Sequence, residues 1–115
     1  MKNHNPYHGG IADCWYSGNA GDLWVEYKFI QLPKRSETVI DLCSGNHPTI
    51  SALQQEWLEG RHKEGRNVGV IVGFGTQGLW LPGLLWQQPM TAEAAQQAAL
   101  SKKALATQII SITSL

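Results

Sequence analysis

This chain has no excess of charge of either sign. Nine lysines and arginines are matched by nine aspartates and glutamates, and only 16% of the residues are charged. That balance excludes a domain-wide electrostatic footprint for a polyanion, so nucleic-acid binding has to rest on local patches, metal ions or a second subunit. Cysteine is scarce as well. Cys14 and Cys43 form no CxxC pair, which excludes a disulfide scaffold and a zinc-ribbon site and reads as two reduced, half-buried thiols. No apolar run approaches the ~20 residues that cross a bilayer, and the start, Met1 to Pro6, lacks the apolar core of a signal peptide. The expectation is a soluble, cytoplasmic protein with no membrane partner. Internal repeats and low-complexity linkers are also lacking, and 115 residues suit one domain built on one core.

What is present is a succession of short β-patterns around one strong helix signal. Residues 1–10, with Pro6, Gly9 and Gly10, read as an N-terminal loop. Residues 11–17 are rich in β-formers, and the turn-dense Ser17-Gly18-Asn19-Ala20-Gly21 leads to a second strand over 22–31, which predicts a β-hairpin with a five-residue connection. A short third strand is expected over 38–42. Ser51 with Gln54 fits a capping box, so a helix starts at Thr49 or Ser51, carries Ile50, Leu53, Trp57 and Leu58 at helical spacing, and stops at Gly65. The apolar run 68–74 suits a strand covered on both faces, turned by 75–78 into Leu79-Trp80-Leu81 and ended by Pro82. The alanine- and glutamine-rich stretch 91–107 is a helix by propensity, and the tail 108–113 fits either an edge strand or continued helix. The fold class expected is α/β (α+β): a mixed β-sheet core over 11–81 flanked by helices, with a C-terminal helix at 91–107.

The chemistry is concentrated in the second strand. Side chains alternate along a strand, so Glu26 and Lys28 share one face while Leu23, Val25, Tyr27 and Phe29 take the other. A carboxylate and an ammonium on one face are either an ion pair or half of a metal-dependent phosphodiesterase site. Hydrolysis of a phosphodiester needs charge neutralised on the nonbridging oxygens and a water activated, which carboxylates holding Mg²⁺ accomplish beside a lysine. Asp13, on a preceding strand, and Glu26 are placed to converge on such an ion, with the backbone carbonyl of Tyr27 between them as a further oxygen ligand. Gln54 borders the apolar stripe of the helix and can face the sheet, or else serve only as the capping-box residue. Asp22, four residues before Glu26, reads as a turn residue and Asp41 as a solvated charge.

In order, the chain carries Gly10-Ile11-Ala12-Asp13, then Glu26-Tyr27-Lys28, then Ile50-Ser51-Ala52-Leu53-Gln54, then Gly65 and the buried run from Val68. As an ordered set, over about residues 8 to 75, this resembles the VRR-NUC branch of the PD-(D/E)xK nucleases. That branch is described by a G-x-P-D turn, an E-x-K strand, an L-S-x-x-Q helix start and a following buried strand, and the chain is similar to its small stand-alone phage members. Ala12 stands where the motif has proline, and no acidic residue precedes Asp13, where relatives have one on an N-terminal helix. The resemblance implies a restriction-endonuclease-like core and a Mg²⁺-dependent DNA endonuclease, with Mn²⁺ substituting, acting on branched or Holliday-junction DNA. It implies Asp13 and Glu26 as metal carboxylates, Tyr27 as a carbonyl ligand, Lys28 as the catalytic lysine and Gln54 as the motif glutamine. A homodimer and, for a phage-encoded protein, the host cytoplasm follow from the same likeness.

Lys34 and Arg35, just after the Glu26 strand, are the expected DNA-phosphate contacts; Arg61, His62, Lys63 and Arg66 surround the helix end, where cations are favourable in any case. Trp80 and Trp86 flank Pro82-Gly83 and suit either core or a subunit interface. Two rival readings remain: a catalytically inactive DNA-binding or assembly module on the same scaffold, and a structural protein with a Glu26/Lys28 ion pair.

Overall fold

The computed structural model describes residues 12–114. The loop expected over 1–10 and the start of the first strand pattern at Ile11 lie outside the described residues. In chain order the elements are β1 (Cys14–Gly18), β2 (Gly21–Phe29), β3 (Val39–Ile40), α1 (Ala52–Lys63), β4 (Val68–Phe74), β5 (Gln77–Pro82), a 3-10 turn (Leu85–Gln87), β6 (Met90–Thr91), α2 (Ala92–Ala98), β7 (Leu100–Ser101) and α3 (Lys102–Thr113). The fold is α+β, as expected: a five-stranded mixed sheet, ordered β1-β2-β4-β5-β7, flanked by helices. Among the described strands only β2 and β4 run parallel. A parallel pair needs a crossover connection, and the segment carrying α1 supplies it.

Two apolar layers clasp the sheet. Val68, Val70 and Val72 of β4 and Leu79 and Leu81 of β5 pack with Ile50, Leu58 and Trp86 on the α1 face. Leu23 and Val25 of β2 pack with Ile71 and Leu105 on the α3 face. Every residue of β4 is buried, which its continuous apolar run required. Each fully buried aliphatic side chain stabilises the fold by about 1.5–3 kcal/mol, so the sheet's centre is its most firmly held part. Two glycines of β4 make room for rings on the α3 face: a Cβ on Gly69 would fall 2.5 Å from the Trp80 ring, and one on Gly73 2.6 Å from the Phe29 ring. Trp80 and buried Trp86 both serve the core, the latter with its indole N–H on the Gly83 carbonyl at 2.9 Å.

Several boundaries differ from expectation. The first hairpin closes tighter, with Gly18 paired to Gly21 and only Asn19 and Ala20 between the strands. The third strand shrinks to Val39–Ile40 and leaves the main sheet to pair with β6. The helix expected over 91–107 is two helices. Ala99 turns extended, Leu100 and Ser101 add an edge strand against Gly78 and Gln77, and the Ser101 hydroxyl accepts from the Ala104 N–H to start α3 afresh. Strand pairing and a cap thus override alanine propensity, and the tail to Thr113 is helix. Phe29, which alternation places on the face of Leu23, Val25 and Tyr27, is 81% exposed, its ring lying over Gly73. Among the described residues no helix is long and apolar enough to cross a membrane.

Candidate active site

Alternation along β2 sends Trp24, Glu26 and Lys28 to the α1 face and Tyr27 to the α3 face. The backbone alternates too. Trp24 and Ile30 direct their N–H groups to Asn67 and Gly73, on the β4 side, at 3.0 Å each. The backbone groups of odd-numbered Tyr27 therefore face the β1 edge, and there the Asp13 carboxylate accepts the Tyr27 N–H at 3.1 Å. Asp13, immediately before β1, is thus drawn to the level of Glu26 although β1 itself starts at Cys14.

Glu26 is 1% exposed, the only buried acidic side chain among the described residues. Its Oε2 accepts from Lys28 Nζ at 3.1 Å and from Gln54 Nε2 at 3.0 Å. Its Oε1 is shut off from solvent with no hydrogen-bond partner. Leaving a buried acceptor unpaired costs about 1–3 kcal/mol. Burial pushes the Glu26 pKa from 4.5 up to about 7; Lys28 opposes the rise and the neighbouring Asp13 carboxylate adds to it. Near neutral pH the group consequently exchanges between its two protonation forms.

Gln54 performs both roles open to it in the sequence. Its Oε1 accepts from the Ser51 N–H at 3.0 Å and its N–H bonds the Ser51 hydroxyl at 3.2 Å, completing the capping box of α1. The other end of the same amide donates to Glu26. The helix start therefore fixes the amide's orientation, and the amide fixes the carboxylate.

A buried, unpaired carboxylate oxygen beside a second carboxylate is a hard-oxygen donor set suited to a divalent cation. Asp13 and Glu26 would hold it, with the Tyr27 carbonyl on the same edge and water completing the shell. Among the described residues no group of three or more His, Cys, Asp and Glu side chains converges on such a position.

Other candidates stand apart. Lys34 and Arg35 are exposed in the segment after β2 and do not join the group around Glu26. Asp22 is an exposed hairpin residue, while Asp41 folds back on the Cys43 N–H and the Ser44 hydroxyl, bonds that hold its carboxyl below the usual range. The Tyr27 ring turns away from the site; its hydroxyl bonds that of Tyr16 beside a cavity of about 470 Å³ under α3, and burial raises its pKa well above the ordinary phenol value. Both cysteines are free and half-buried.

One constellation escaped the sequence reading. Trp15 stacks on Trp24 (centroids 5.8 Å, planes 24° apart), Trp24 meets Trp57 edge-on at 5.4 Å, and the Arg61 guanidinium lies 5.6 Å from the Trp57 ring centre. The available signal was parity, since Trp24 sits two residues before Glu26 on the same face. The chain matches no protein-family profile, no curated protein and no solved structure.

Proposed function

We propose that this protein is a Mg²⁺-dependent DNA endonuclease of the VRR-NUC type, acting in the cytoplasm. The observation that carries the reading is the buried Glu26 carboxylate, with one oxygen unpaired, an acid beside it, and a lysine and a glutamine on its other oxygen. A structural ion pair needs Lys28 alone; it does not call for a second acid that raises the cost of the charge.

In this reading Asp13 and Glu26 would hold the cation, which would supply charge neutralisation at the phosphate oxygens and acidify a bound water. Gln54 keeps the Glu26 carboxylate in one rotamer. The Lys28 side chain, 23% exposed, reaches from Glu26 towards solvent and is placed to orient the attacking water or to stabilise charge on the phosphate. Lys34 and Arg35 supply backbone contacts beyond the end of β2. Mn²⁺ substitutes for Mg²⁺, and two copies pair as a homodimer. The runner-up, a module that binds DNA without cutting it, draws support from the missing third acidic ligand among the described residues.

The test is a panel of linear, flap and four-way-junction DNA incubated with protein in Mg²⁺, Mn²⁺ or EDTA. Cleavage is expected with either metal, none in EDTA, and none for Lys28→Ala or Glu26→Gln variants whose circular dichroism is unchanged. Binding without cutting under every condition supports the inert module, and full activity in either variant rules out the site.

A further inference from the structure

We infer that the Trp15–Trp24 stack is a base-stacking subsite for an unpaired nucleotide of the DNA substrate, next to the Glu26 carboxylate; this rests on the nuclease reading above. Trp15 lies on the sheet's edge strand and is 45% exposed, with its ring stacked against that of Trp24 at 24° between planes. Trp24 is anchored from below by Trp57, and Trp57 is covered by Arg61. Trp15 is thus pre-set in one orientation, with little rotamer freedom left to lose when a second flat group binds.

The position ties the stack to the chemistry. Trp24 precedes Glu26 by two residues on one face of β2, roughly 6.6 Å along a strand, and Trp57 follows Gln54 by three on α1. β2 and α1 therefore carry the two rings beneath Trp15 as well as the carboxylate with its orienting amide, and Trp15 joins them from β1 opposite Trp24.

Two guanidinium groups on the far side of the stack are available to a phosphate backbone. A cleft of about 300 Å³ continues past Trp24, bounded by Asp22, Arg66 and Asn67. Glu64 holds both nearby guanidinium groups, Arg61 at 2.8 Å and Arg66 at 3.6 Å, in largely exposed pairs. Exposed pairs of this kind contribute only ~0–1 kcal/mol, so a phosphate displaces the carboxylate at little cost. Arg61 Nε is closed off from solvent without a partner. Trp24 and Glu26 follow one another along β2, while Arg61 on α1 and Arg66 just after it supply the guanidinium groups. A base inside a duplex has both faces covered by its neighbours, whereas an unpaired base has a face free to stack on Trp15.

The experiment compares anisotropy of a labelled twelve-nucleotide oligo-dT with that of a blunt duplex of equal length, in EDTA, for wild type, Trp15→Ala and Trp15→Phe. Oligo-dT should bind wild type more tightly than duplex does. Trp15→Ala should weaken oligo-dT binding by between about 5- and 100-fold, as expected for one stacked base, with duplex binding unchanged and most of the loss restored by Trp15→Phe. Tryptophan emission of the unmodified protein should also be quenched by oligo-dT, a readout that needs no variant. Equal oligo-dT binding by Trp15→Ala, a parallel loss on duplex, no quenching, or no binding of either DNA overturns the subsite. Failure of metal-dependent cleavage with these binding results intact removes the nuclease reading and leaves the subsite in a DNA-binding module.

Discussion

Replacing Glu26 with glutamine should flatten the pH dependence of stability of the metal-free protein. Glu26 has its pKa raised from 4.5 to about 7 by burial. Below pH 4.5 the carboxyl is protonated in the folded and unfolded states alike and carries no penalty. As pH rises from there towards 7 the unfolded chain ionises first, so folded wild type is progressively destabilised; above that the penalty is complete. At about 1.4 kcal/mol per pKa unit the full effect is about 3 kcal/mol, equivalent to a melting-temperature change on the order of 10 °C for a domain of this size. Glutamine keeps the shape and can still accept from Gln54 and Lys28, but does not titrate. Urea unfolding followed by tryptophan emission, in EDTA from about pH 4 to about pH 8, should show wild type losing that amount relative to Glu26→Gln. Adding Mg²⁺ at the upper pH should stabilise wild type by mass action and leave the variant unchanged. Parallel pH profiles for the two proteins would mean instead that the carboxyl carries no desolvation cost in the fold.

Further outcomes follow from the same contacts. Gln54→Ala removes a capping-box partner and a donor to Glu26, and should cost about 1–3 kcal/mol in urea unfolding; an unchanged midpoint contradicts the dual role. Lys28→Ala should raise the Glu26 pKa above 7, since its ammonium is the main influence holding that value down; carbon-detected NMR titration of the carboxyl reads it directly, and a fall would reverse the assigned sign. Gly18→Ala should destabilise by about 1–3 kcal/mol, because a Cβ there lies 2.0 Å from the Thr113 carbonyl oxygen. Hydrogen exchange of the Ala20 amide, which bonds that same carbonyl at 3.0 Å, should accelerate in the variant.

What the sequence disclosed was mostly local. The α1 capping box, the Gly65 stop with its positive φ of 83°, and the buried run of β4 depend on neighbours a few residues away, and each stands where expected. The parity of Glu26 and Lys28 likewise needs only the strand. The break at Ala99 was hidden because it depends on Leu100 and Ser101 pairing with Gly78 and Gln77, more than twenty residues earlier. The β3–β6 pairing was hidden for the same reason. Alternation told which face Glu26 takes and was silent on depth; its burial depends on the α1 segment closing over that face with Gln54 leading. The Asp13 link to the Tyr27 N–H depends on which edge of β2 the odd-numbered backbone groups address, a property of pairing rather than of pattern. The Trp15–Trp24 stack combined a legible parity with a cross-strand register that a two-residue shift in the hairpin would have destroyed.

Whether Asp13 and Glu26 hold a divalent cation is decided most directly by titrating Mn²⁺ into metal-free protein at pH 8 and following the free-ion signal by electron paramagnetic resonance, for wild type, Asp13→Asn and Glu26→Gln. Wild type should remove Mn²⁺ from solution with saturable binding that Mg²⁺ displaces and that weakens at pH 5.5, where Glu26 holds its proton, and both variants should leave the signal close to that of buffer. Binding by either variant equal to that of wild type, or none by wild type, would contradict a metal centre at this pair of carboxylates.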